Sequence, residues 1–306
     1  MARYLLLRLG EAVVTLLIIA MAIFGLLHLI PSSPVYAILG RDATPQAVAK
    51  LTAALGLNLP IWDQFAAWLR ATLFSAQGGL VITTLLPVTL QLLVFSSVIA
   101  FVLACVVALV QVLHPRSLAD RVLTALTYAF YGFPAFWLGL VLIWLVGLVL
   151  LWLPPDGWPD AMHPGLLSWA VHLIMPVATL SLTTVGGWSR YLRASMEEAL
   201  QADYVRTARA KGASERQILV RHAFRNSLLP LITLTGMSLP TLMNSVIVVE
   251  AIFYIPGAGS GFLQALNGLF FSQATTIAFF LAVITVLGNV VSDACYGLAD
   301  PRIQYV

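Results

Sequence analysis

Asp203-Tyr-Val-Arg-Thr-Ala-Arg-Ala-Lys-Gly212 is the stretch whose reading decides how this chain is built. It lies within Arg190–Arg225, a segment holding eight of the sixteen Lys and Arg residues in a chain of 306. The remainder is oily. Apolar residues make up 60% and charged residues 9% of the sequence, whereas soluble domains are roughly 25% charged. Such a chain reads as an all-α integral membrane protein, and its one strongly cationic segment must stand in water.

Outward from that segment, apolar runs of about twenty residues recur, the length that crosses roughly 30 Å of hydrocarbon at 1.5 Å per residue. Six are read as transmembrane helices: Leu9–Ile30, Pro87–Leu113, Val122–Leu153, Trp169–Trp188, Leu228–Val249 and Thr275–Leu298. The third is long enough to tilt or bend. Lys and Arg in the connections set the orientation. The N-terminus, 114–121, 190–226 and the C-terminus together carry 13, while the other side carries Arg41, Lys50 and Arg70. Both termini and the basic loop are therefore expected in the cytoplasm. The net charge of +3 reflects that bias and does not point to nucleic acid. The first apolar run exceeds a signal-peptide core and lacks a convincing cleavage site, so it reads as a span.

One domain, 1–306, is expected. Residues 31–86 form its external loop, with short helices at Pro45–Leu55 and Ile61–Phe74, the latter an aromatic helix at the membrane interface. Ala100, Ala104 and Ala108 make a small-residue stripe suited to close helix packing, and Cys105 and Cys295 read as small core residues.

The basic loop, 190–226, carries its own start and stop signals. Asp203 suits an N-cap, Gly212 a left-handed residue after the helix end, and Lys211 the negative end of the dipole. Ser214-Glu-Arg-Gln217 then fits a capping box. A short stiff helix held by tight corners between two spans can pass force into the bundle.

Within the membrane, Asn244, Glu250, Trp137 and Met243 are the substrate-pathway candidates. Met243 is also explained by packing, and Glu250 by capping of the backbone around Pro256–Gly261. Asp293 is expected to bind a cytoplasmic Arg or a backbone amide, and Glu11 to pair with Arg8. No catalytic set or metal-binding constellation stands out: there is no His-Glu-x-x-His, and no Gly-x-x-x-x-Gly-Lys-Ser/Thr that would make this chain an ATPase. A membrane enzyme is disfavoured on that ground. A secondary transporter is disfavoured because neither inverted repeats nor ion-coupling residues are visible.

Ser195-Met-Glu-Glu, Asp203–Gly212 and Arg221-His-Ala-Phe-Arg-Asn226 closely resemble the coupling loop of inner-membrane permease subunits of bacterial ABC importers for dipeptides, oligopeptides and nickel. Leu29-Ile-Pro31, Gly132-Phe-Pro-Ala-Phe-Trp137, Val249-Glu250, Pro256-Gly-Ala-Gly259 and Asp300-Pro-Arg302 extend the likeness nearly end to end. The resemblance implies a type I ABC importer permease fold in the bacterial inner membrane. Its implied partners are a second homologous permease subunit, two ATP-binding cassette ATPases, an extracytoplasmic substrate-binding protein and membrane lipid. No cofactor is implied in this chain, because ATP and Mg belong to the ATPases. Asp203, Tyr204, Arg206, Ala208, Arg209, Lys211 and Gly212 are the implied coupling residues, with peptide favoured over nickel or a metal chelate as cargo. Two stretches depart from the family pattern, Ala76–Thr84 and Ser260-Gly261, both on the external side.

Overall fold

The computed structural model describes residues 2–29, 39–40, 44–54, 56–159, 165–268 and 270–299. Leu29-Ile-Pro31 past its first residue, part of the external loop, and Asp300-Pro-Arg302 lie outside the described residues. The elements that matter are all helices: α1 (Ala2–Leu29), α2 (Pro45–Ala54), α3 (Ile61–Phe74), α4 (Ala76–Leu113), α5 (Leu118–Gly132), α6 (Ala135–Val149) and α7 (Leu166–Gln201). They are followed by α8 (Asp203–Ala210), α9 (Glu215–Met237), α10 (Leu239–Ile252), α11 (Ala258–Asn267) and α12 (Phe271–Ala299).

Among the described residues, four helices are long and apolar enough to cross a membrane: α1, α4, α7 and α12. Counting each bent pair as one span brings the number to six. The expected third span is therefore no single rod, because α5 and α6 meet at 109°. Phe133 is extended (φ −83°, ψ 132°), the conformation imposed on a residue that precedes proline, and Pro134 then opens α6. In the fifth span, α9 and α10 meet at 52°. Pro240 stands in the first turn of α10 and has no N–H to continue the ladder from α9. Pro176 and Pro230 lie inside α7 and α9.

Two boundaries differ from the sequence expectation. Residues Ala76–Thr84, read as loop, are the helical start of α4, which includes a π-helical segment at Val81–Leu85. And α7 runs on to Gln201, so Arg190 and Arg193 belong to a span helix and the basic loop shrinks to its second half. Apolar spacing ends near Trp188, but nothing there stops a helix: no Gly or Pro intervenes before Ala202.

The core centres on the long contact between α4 and α7. Ala100, Ala104 and Ala108 are fully buried, and Ser181 Oγ on α7 donates to the Ser96 carbonyl on α4 at 3.0 Å. On one flank α1 lies along α12, where Arg8 reaches both Glu11 (3.1 Å) and Asp293 (3.3 Å). The expected partners of Glu11 and Asp293 are thus one arginine. Phe65 and Trp68 of α3 pack against Phe24 of α1, and Trp68 also meets Phe279 of α12. Trp62, in the first turn of α3, stays 70% exposed. Cys105 is half-buried, and the Cys295 side chain lies outside the described residues.

Candidate functional site: the helix outside the bundle

The projecting helix α8 is built almost entirely by its ends. Ala202 is extended (φ −70°, ψ 151°) and its carbonyl accepts from the Val205 and Arg206 amides at 3.0 and 3.3 Å. Ala202 is therefore the N-cap, which corrects the assignment of that role to Asp203. Displaced by one residue, the Asp203 carboxylate makes no capping bond. It stands in the first turn, where the helix dipole favours an anion, 3.5 Å from Arg206 Nη1.

The other end matches its signals. Gly212 has φ +83°, which side-chain-bearing residues adopt only under strain. Its N–H donates to the Arg209 carbonyl at 3.0 Å, and Ala213 N–H donates to Ala208 at 3.1 Å, the paired bonds of a Schellman ending. One residue later Ser214 Oγ accepts from Gln217 N–H while Gln217 Oε1 accepts from Ser214 N–H. Arg209 adds a bond that the sequence did not announce, a two-pronged contact to Glu215 at 2.8 and 3.0 Å. Charge-assisted, bidentate pairs favour one geometry, and this one links the end of α8 to the start of α9.

Inward, Val205 is fully buried, as are Ile218 and Ala223 in the π-helical first turns of α9. Tyr204 is 41% exposed, its ring 6.5 Å from that of His222. Asp203, Arg206, Arg209, Lys211 and Gly212 face solvent, and Ala208 is half-buried. The implied coupling residues are thereby gathered on one short, anchored element with an open outer side.

A second anchor lies where α7 leaves the bundle, and sequence reasoning missed it. Asp120 is 6% exposed and accepts from Arg193 Nη1 at 2.7 Å and from the Arg116 amide at 2.8 Å. Arg193 Nε also donates to Glu197 at 2.8 Å. The 114–117 turn is thus tied to α7 about three turns before α8. The available signal was Ser117-x-x-Asp120, a capping pattern, and Ser117 Oγ does accept from the Asp120 amide.

The four pathway candidates are not brought together. Trp137 is 43% exposed and stacks on Phe133 at the α5–α6 bend, rings 4.4 Å apart. Met243 is 4% exposed and borders an apolar cavity of about 570 Å³ between α4, α9, α10 and α12. Asn244, its neighbour, is exposed on the outer side of α10. Glu250 is fully buried. Its Oε2 accepts from the Ser260 amide at 3.0 Å, and a Cβ at Gly257 or Gly259 would run into its carboxylate. Glu250 thus makes a contact of the capping kind, holding the start of α11 with Pro256-Gly-Ala-Gly259 close round it.

A bundle of apolar helices, with one rigidly cornered polar helix held outside it, defines a multi-pass membrane protein. Residues 97–305 match the family described as binding-protein-dependent transport system inner membrane component, and residues 1–83 match the N-terminal model of the same group. The chain belongs to this family of inner-membrane transport proteins. It is 32% identical over 314 residues to a probable peptide ABC transporter permease protein of Sinorhizobium fredii, covering 100% of both chains. Identity is 30% to the oligopeptide transport system permease protein AppB of Bacillus subtilis, again covering 100% of both. It is 31% to the di/tripeptide transport system permease protein DppB of Pseudomonas aeruginosa, covering 97% of each.

Proposed function

We propose that this chain is one of two permease subunits of an ATP-driven importer for di- and oligopeptides. It has six spans, counting each bent pair once, and both termini in the cytoplasm. The observation that carries the reading is α8, an eight-residue helix closed at its far end by a Schellman turn and a capping box and rooted by the buried Val205. Topological loops need no such construction. Thirteen of sixteen basic residues on its side favour a cytoplasmic α8, and the relatives' names favour peptide as cargo.

In this reading each of two ATPase subunits receives one coupling helix, and α8 is the one from this chain. ATP-driven closure of the pair moves α8, and the tight corners to α7 and α9 carry that motion into the bundle. The pathway then switches from inward- to outward-facing. An extracytoplasmic binding protein delivers the peptide to the opposite end, near α11.

Replacing Gly212 by Trp tests the reading. No atom of this chain lies within 4 Å of a Cβ at that position, but φ +83° strains any side chain there. Gly212→Ala, which carries the same backbone strain without the bulk, is therefore made alongside and is expected to keep importing. For Gly212→Trp the expected result is a variant that reaches the membrane at wild-type level but imports no peptide and shows no substrate-stimulated ATP hydrolysis. Wild-type import by that variant would contradict the proposal.

A further inference from the structure

Arg190 lies on α7, and its guanidinium turns back toward the bundle. Nε donates to the Gly186 carbonyl at 2.8 Å, and Cζ stands 4.7 Å from the Tyr128 ring and 4.3 Å from the Tyr131 ring. Arg190 stands two residues past the apolar run that ends at Trp188, but its guanidinium turns back inside it. The tyrosines lie six and nine residues beyond Val122, or about 9 and 14 Å along the helix from the start of that run. Among the described residues, no carboxylate pairs with Arg190. One turn further along α7, Arg193 has two carboxylates.

A guanidinium at such depth faces a water-filled space or another polar group and not lipid chains, because hydrocarbon solvates it too poorly. Tyr128 and Tyr131 are each 57% exposed, so the ring-and-guanidinium face is open. Two aromatic rings and one carbonyl orient the cation without neutralising it, and the guanidinium edge not used by Gly186 keeps donors suited to a carboxylate. Phe133 and Trp137 continue the aromatic surface to the α5–α6 bend.

We propose that Arg190, Tyr128 and Tyr131 form an anion-receiving site in the translocation pathway, one that takes the terminal carboxylate of a passing peptide. The assignment rests on the peptide-importer reading above. An anionic lipid headgroup offers similar chemistry, so the test separates the two sources.

The complete transporter, with Cys105→Ala, Cys295→Ala and Tyr128→Cys in this chain, is reconstituted in phosphatidylcholine vesicles. The new thiol is reacted with anionic sulfonatoethyl and cationic trimethylammonioethyl methanethiosulfonates supplied on both sides. The site predicts that the anionic reagent reacts faster by about tenfold or more, since a unit charge a few ångströms away dominates the local potential. Arg190→Gln abolishes that preference and Arg190→Lys retains it. A tripeptide with a free C-terminus slows the anionic reagent, and its C-terminal amide does not. Absence of reaction, or equal rates for both reagents, overturns the site. Slowing by added phosphatidylglycerol but not by the tripeptide overturns its assignment to substrate. Wild-type uptake of the same tripeptide is measured alongside, so failure of the transport reading shows as lost import with the charge preference intact.

Discussion

Asp120 shows how a single side chain can hold two distant segments that no local pattern connects. Its carboxylate joins the 114–117 turn to Arg193, 73 residues later. Removing a buried partner leaves the other charge and the Arg116 amide poorly satisfied. Because Arg193 keeps Glu197, the expected loss for Asp120→Ala is about 1–3 kcal/mol and not the larger penalty of a wholly orphaned charge. The detergent-solubilised complex should melt earlier, and Arg193→Ala combined with Asp120→Ala should cost less than the two singles added. Additive losses would mean that the pair is not coupled. Glu250 makes the complementary point about legibility. Its sequence position allowed pathway or capping, and the return of Gly257–Ser260 onto it is visible only in three dimensions. A carboxylate's surroundings are set by chain segments that one-dimensional spacing does not place.

At the scale of elements, helix ends were legible and helix lengths less so. Gly212 and Ser214-x-x-Gln217 act through bonds spanning a few residues, so their chemistry is written locally, and both occur as read. The N-cap slipped by one residue because Ala202 already had the extended backbone that an N-cap needs. The end of α7 was misjudged for a related reason: hydropathy marks where lipid stops, and a helix continues into water if no breaker intervenes. Ser214→Ala removes one half of the capping box and should weaken the corner by about 0.5–2 kcal/mol. Amide hydrogen exchange in residues 203–217 should then accelerate by about tenfold for each 1.4 kcal/mol, with exchange in α4 unchanged. Equal protection in the two proteins would show that the corner is held by something other than its cap.

For the whole molecule, composition and spacing announced an all-helical membrane bundle, and the broken fifth span and the right-angled third were carried by Pro240 and Phe133-Pro134. The family likeness added what the bundle is for, since nothing in apolar periodicity distinguishes a permease from another six-span protein. Orientation has its own test. Single cysteines at Lys50 and Arg216 in a cysteine-free chain should label from opposite faces of sealed membranes, Arg216→Cys only from the cytoplasmic side. Labelling of both from one side would undo the charge-based topology.

The central claim is that α8 meets an ATPase subunit, and site-directed cross-linking reads that contact directly. Thr207 is exposed on α8 and Tyr254, 82% exposed, stands beside the turn leading to α11. In the assembled transporter, Thr207→Cys carrying a short photo-activated cross-linker should give an adduct with an ATPase subunit, and Tyr254→Cys should give none. An active complex in which Thr207→Cys yields no ATPase adduct, or in which both positions yield it equally, would contradict the account.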